Sequence, residues 1–302
     1  MGGCSTAITV TFLASALVGC LAAPPPTNLA QPAREPADVM SSETYARKIL
    51  GLRATLARSH VDLDVQSEFR TCGNRDARGC LRCEVASREA TAGVDPEMID
   101  AVATAFARYP PDVLSASKLE HVALCRRIRY DHSTDGPDPA GVAVLEDHRL
   151  LISVEHFVGE PYEYSGSFTI EEVVHHELFH LLDYANLGAK LNNDAEWHAL
   201  NAPAFAYKEL ETLAVPRSAG FVDPYASTDE AEDRASTFEY LMSHAGELCK
   251  IAADDPIVMK KVTVVWRRIA KLTGPKLLHA WAPCVRWPDH TKAPKSLIGK
   301  MR

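Results

Sequence analysis

The chain has 302 residues, enough to bury a full core, and its 46% hydrophobic and 24% charged residues are the proportions of a globular protein. A formal net charge of -8 argues against nucleic acid as a partner, because phosphates draw basic faces. The basic clusters Arg126-Arg127 with Arg129, and Lys260-Lys261 with Arg267-Arg268, read as solvated faces of a strand or a helix.

The first charged residue is Arg34, and Ala7 to Ala23 is an almost unbroken run of apolar and small residues, the pattern of an export signal. The run ends in Leu17-Val18-Gly19-Cys20, which resembles a bacterial lipobox, so Cys20 is the expected lipidated N-terminus of the mature chain. No Lys or Arg precedes the run. Cleavage near Ala22-Ala23 would instead release a secreted protein. Met1-Gly2 with Thr6 fits a myristoylation pattern that leaves the apolar run without a purpose. Residues 1–20 are therefore read as the signal and 21–40, with Pro24-Pro25-Pro26, Pro32 and Pro36, as a tether. That places the folded part outside the cytoplasm, anchored by lipid to a bacterial membrane at the periplasmic or cell surface, or secreted.

Residues 41–302 form the expected folded domain, with an N-terminal helical and disulfide-bearing part to about 115 and a core from about 116. A helix is predicted over about 44–59, where Tyr45, Ile49, Leu50, Leu52 and Leu56 supply an apolar side. Cys72, Cys80, Cys83, Cys125, Cys249 and Cys284 make an even set, suited to structural disulfides in an exported protein. Cys72 to Cys83 reads as a disulfide-held loop. A second helix is predicted from Pro96 to Tyr109, stopped by Pro110-Pro111. The period then shortens: Leu119 to Tyr130, Val142 to Leu145 and Leu150 to Val154 read as strands, with a hairpin turn over 146–149. From Thr169 onward the pattern is mostly helical, including a run from Asp255 to Leu272. A sheet followed by helices is an α+β order.

Thr169-Ile170-Glu171-Glu172 matches a capping box, and the helix it opens carries His176-Glu177-Leu178-Phe179-His180. Two His four apart lie on one helical face and can hold one zinc ion without loop closure. Glu177, next to the first His, is placed to take a proton from water, whose pKa zinc lowers to about 7. Each position of the motif thus has a mechanical reason. His175 faces away from the pair and reads as a packing or supporting residue. A catalytic zinc needs a third protein ligand, and no third His follows in the metzincin pattern. Asp183, Glu209, Glu211, Glu230, Glu232 and Glu239 are the candidates. Asp183, one turn past His180, could reach the metal or hold His180 in one tautomer. Ser227 with Glu230 can cap a helix beginning near Thr228, which puts Glu232 in its first turns; Asp229 and Glu230 then offset the helix dipole.

Tyr225-Ala226-Ser227-Thr228-Asp229-Glu230-Ala231-Glu232, and on through Phe238 to Leu241-Met242, resembles the second motif of the anthrax lethal factor-like zinc peptidases. The resemblance covers roughly 165–245 and includes an acid three residues after the second His, here Asp183. It implies a His176, His180, Glu232 zinc site with Tyr225 over the metal. It departs from the family at Ser236, where an acid often stands four residues after the ligand, so support for the ligands falls to Asp183 or Asp233. It also implies a zincin-like fold: a small twisted sheet, the motif helix beneath it and a mainly helical C-terminal half. Residues about 141–154 are the expected substrate-pairing edge. The function so implied is a monomeric, zinc-dependent endopeptidase acting on a protein or peptide, with lipid as its sole link to a membrane. Two other readings use the same residues: a non-catalytic surface lipoprotein with a structural zinc, and hydrolysis of a non-peptide substrate.

Overall fold

The first helix follows from spacing. Tyr45, Ile49, Leu52 and Leu56 recur every three or four residues, and in the computed structural model all four are buried along α1 (Ser42–Ala57), while Leu50 falls on the outside. The structure describes residues 42–65, 69–71, 80–85, 96–131, 139–154, 169–191, 193–203, 205–208 and 216–274. Cys20 with the signal and tether, Cys72, Cys284, Glu209 and Glu211 lie outside them.

Met98, Ile99, Val102, Ala105 and Phe106 form the buried stripe of α2 (Pro96–Ala107). Pro110-Pro111 does more than end that helix. Pro110 caps, and Pro111 opens, a second short helix, α3 (Pro111–Ala116), because proline suits a first turn whose N–H groups have no partner.

Six strands form one mixed sheet: β1 (Asp62–Asp64), β2 (Phe69–Thr71), β3 (Leu81–Val85), β4 (His121–Tyr130), β5 (Gly141–Val144) and β6 (Arg149–Ser153). Their order is β2-β3-β4-β6-β5, and β1 pairs in parallel with β4. The ten-residue β4 is the spine, parallel to β6 and antiparallel to β3. Strands β1 to β3, which precede residue 115, belong to the same sheet as β4 to β6, and Asp38–Arg302 is one compact unit. Side chains alternate: Val122, Leu124, Leu150 and Ile152 join the main core, while Ala123, Cys125 and Leu151 join Leu81, Cys83 and Ile128 in a second cluster. There Cys83 and Cys125 form a disulfide between β3 and β4, beside the register shift at Glu84/Val85. Cys80 and Cys249 are each disulfide-bonded as well.

The second half is helical: α4 (Ile170–Leu187), α5 (Ala195–His198), α6 (Glu230–Ser243), α7 (Ala245–Asp254) and α8 (Pro256–Thr273). The α+β class therefore holds, with eight α-helices among the described residues. The capping box of α4 is complete, with Thr169 Oγ1 accepting from Glu172 N and the Glu172 carboxylate accepting from Thr169 N. The start of α6 differs from expectation. Asp229 is the cap, accepting from Ala231 N at 2.7 Å, and the Ser227 hydroxyl instead donates to Pro224 O within a 3-10 turn, Tyr225–Ser227. An Asp side chain free to accept from Ala231 N caps better than a Ser whose hydroxyl is already used.

The basic run on α8 is also corrected. Lys260 and Arg267 are exposed, but Lys261 and Arg268 are buried. Lys261 Nζ sits 2.6 Å from Asp233 and 3.8 Å from the centroid of the Phe221 ring. Arg268 pairs with Asp194 at 2.5 Å. Among the described residues no helix is long and apolar enough to cross a membrane.

Candidate metal centre

Helix α4 presents its two motif His to α6. The His176 and His180 rings lie 4.9 Å apart at 74°. From the first turn of α6, Glu232 Oε2 stands 2.8 Å from His176 Nε2 and 3.5 Å from His180 Nε2. One donor atom from each of the three lies within 4.8 Å of the others. Two imidazoles and a carboxylate are the donor set of a three-protein-ligand zinc site with one open position, so these residues fit such an ion. The Glu232 side chain keeps 25% of its exposure, which leaves the open side accessible. Burial works to raise the Glu232 carboxyl, but the His180 and His176 imidazoles outweigh it and hold the group well below the usual carboxylate range. Burial would likewise depress His176; the Glu232 and Glu239 carboxylates on either side raise it instead.

Glu177 points from α4 to the outermost strand. Its Oε2 accepts the Ala143 N–H of β5 at 2.8 Å, so that N–H is directed at the motif helix and not at β6. Burial pushes the Glu177 carboxyl up, opposed by the two His. The contact requires a close approach of strand to helix, and Gly141 permits it: a Cβ there would lie 2.6 Å from Val173 Cγ1 and 2.7 Å from Glu177 Cγ.

Tyr225 stands on the other side, its ring centroid 5.8 Å from that of His176 and its phenol hydrogen-bonded to Glu232. Burial, then the charges of Glu232 and Glu177, push that phenol well above its ordinary value, so it keeps its proton. Asp223 shapes the turn that carries it, accepting from Ala226 N at 2.7 Å.

The structure brings His176, Glu177, His180, Tyr225 and Glu232 together, and it assigns other partners to the expected supporting residues. Asp183 is in no metal-capable group among the described residues; its Oδ2 takes the Nε of Arg234 at 2.5 Å. Arg234 is wholly buried and also bonds Glu230 at 2.9 Å and the Leu191 carbonyl. A buried guanidinium claims the nearest carboxylates, so the Asp183 hydrogen bond goes to Arg234, while the His180 imidazole acts on Asp183 only through charge. Ser236 is buried, and its hydroxyl has no hydrogen-bond partner among the described residues. Asp233 is occupied too, accepting from Lys261, Trp197 and Tyr207 on one oxygen.

The carboxylate behind the metal-facing imidazole is Glu239, whose Oε2 lies 3.1 Å from His176 Nδ1. Sequence reasoning considered Glu239 as a ligand only. The available signal was its place seven residues after Glu232, two turns along the same face. Glu239 also shares a cluster with Glu172 and His244, where His244 Nε2 lies 2.6 Å from Glu172 Oε1. His175 is fully buried against Tyr109, Nδ1 to Oη 2.5 Å, with Arg108 on its other nitrogen at 3.5 Å. Burial and that guanidinium lower its pKa to about 3, so it is a neutral core residue.

No protein-family model matches the chain, and neither does any curated protein. Among solved structures, the chain is similar to a protein from Bacteroides caccae ATCC 43185 named as a "putative zinc-binding metallo-peptidase", with 14% sequence identity, a TM-score of 0.44, and coverage of 80% of this chain and 92% of that one.

Proposed function

We propose that the protein is a zinc-dependent endopeptidase of zincin type that cleaves peptide bonds in an extracytoplasmic protein or peptide. The observation that carries this reading is the convergence of the His176, His180 and Glu232 donor atoms within 4.8 Å, flanked by Glu177. A zinc ion bound by these three would supply Lewis acidity and lower the pKa of water to about 7. Glu177, anchored through one oxygen to Ala143, has its other oxygen to accept a proton from water and later return it to a leaving amine. Tyr225, protonated and beside Glu232, is suited to donate a hydrogen bond to an oxygen on which negative charge develops. Strand β5 ends the sheet, so one of its edges has no neighbouring strand among the described residues and suits an extended substrate backbone.

The purified mature chain should bind about one zinc and digest a peptide library, losing activity to a chelator and regaining it with zinc. Glu177→Gln should keep the zinc and the fold while abolishing turnover. Zinc bound without cleavage by wild type would favour the non-catalytic lipoprotein reading. Lipid anchoring through Cys20 belongs to the same proposal, motivated by the lipobox-like segment. Cys20→Ser should shift the protein from the membrane fraction to a soluble or unprocessed form, and unchanged fractionation would rule the anchor out.

A further inference from the structure

Each ring nitrogen of His176 faces a carboxylate: Nε2 faces Glu232 at 2.8 Å and Nδ1 faces Glu239 at 3.1 Å. A neutral imidazole carries one proton, and the nitrogen that keeps the lone pair is the one that can ligate a metal. We propose that Glu239 is a positioning residue that accepts the Nδ1 proton of His176 and so leaves Nε2 as the metal-binding nitrogen on the Glu232 side. The proposal rests on the reading of this site as a metal centre.

Packing does not account for Glu239. It is 2% exposed, and its carboxylate lies within 4.8 Å of donor atoms of Glu172 and His244. Burying one carboxylate near another carries a desolvation cost, and an apolar side chain of that length would fill the space without it. Glu172 does not compete for His176, because one of its oxygens accepts Thr169 N at 2.7 Å and the other holds His244 at 2.6 Å. That leaves Glu239 free for the Nδ1 proton, with the second acid, Glu172, hydrogen-bonded to the partly exposed His244 imidazole. Ser236, one turn nearer to Glu232 on α6, is buried and makes no such bond, and Asp183 belongs to Arg234. The two α6 carboxylates therefore divide the work on a single imidazole.

The test uses the full mature chain and measures zinc affinity by competition with a chromophoric chelator. Glu239→Met keeps the length and removes the acceptor; zinc affinity should fall about 10- to 100-fold. Glu239→Gln keeps a weaker, neutral acceptor and should fall between Met and wild type, and Ser236→Ala should bind as wild type does. A second readout needs no zinc: nitrogen-15 NMR of the metal-free protein, at a pH where the ring is neutral. Wild type should show His176 protonated on Nδ1, and the Glu239 variants a shift toward Nε2. Unchanged affinity and unchanged tautomer in a folded Gln or Met variant would overturn the proposal, as would an equal loss of affinity in Ser236→Ala. If wild type binds no zinc, the metal-centre reading fails and the tautomer measurement alone judges Glu239.

Discussion

Tyr225 is the residue whose role separates catalysis from packing most sharply. Its phenol is hydrogen-bonded to Glu232, and its ring packs against His176, so a structural role and a chemical one are both available. Tyr225→Phe preserves the ring and deletes one donor, a loss that typically costs about two to three orders of magnitude in turnover. The expected result is that fall in kcat with zinc content, melting temperature and KM little changed; full kcat in the variant would make Tyr225 a packing residue. At this scale the sequence was legible where function is local. His176, Glu177 and His180 share one helix, and helical geometry alone fixes their relation. Glu232 was one candidate among six by chemistry and was singled out by resemblance. Glu239 was not legible as a partner of His176, because that contact depends on how α4 and α6 cross. The Arg234 partner of Asp183 was hidden for the same reason, since nothing local reveals a contact with a residue so far along the chain.

Between elements, the decisive contact is that of β5 with α4. The hairpin of β5 and β6 was readable from alternation and from the charged turn, and the helices of α1, α2 and α8 from their stripes. The need for Gly141 was not, because it arises from the other element. With a Cβ 2.6 Å from Val173 and 2.7 Å from Glu177, Gly141→Ala must push the strand outward or turn Glu177 aside. Overpacking of this kind typically costs about 1–3 kcal/mol. Gly141→Ala should lower stability by that order and reduce kcat, while zinc stoichiometry stays at the wild-type value because the ligands sit elsewhere. Loss of zinc in this variant would show that the strand supports the ligands, contrary to the geometry described. The start of α6 was misplaced from sequence because two capping candidates, Ser227 and Asp229, stand two residues apart; the turn carrying Tyr225 consumes the first.

For the molecule as a whole, the buried His175 predicts part of the response to acid. Its folded pKa of about 3 lies below the roughly 6.5 of an unfolded His, so the unfolded chain binds more protons between those values. The contribution is fully present above pH 6.5 and is lost progressively as pH falls toward 3; by pH 5 the loss amounts to about 2 kcal/mol. Buried acids such as Asp233, raised to about 6, act in the opposite sense, so the clean measurement is a difference. In urea unfolding at pH 7.5 and pH 5, His175→Gln should lose less stability on acidification than wild type, by about 2 kcal/mol. Equal losses in the two proteins would mean that His175 titrates normally. The buried ion pairs of Arg234 have a different consequence. The pair with Asp183 joins α4 to α6, as does the stacking of Phe179 on Phe238 at 4.9 Å, and neither contact involves the His-Glu site. Contacts of this kind would hold His176, His180 and Glu232 together without help from a metal, unlike small zinc modules that are unfolded without one. Under the proposed reading, exchange of one ion for another would be a local event at a standing scaffold.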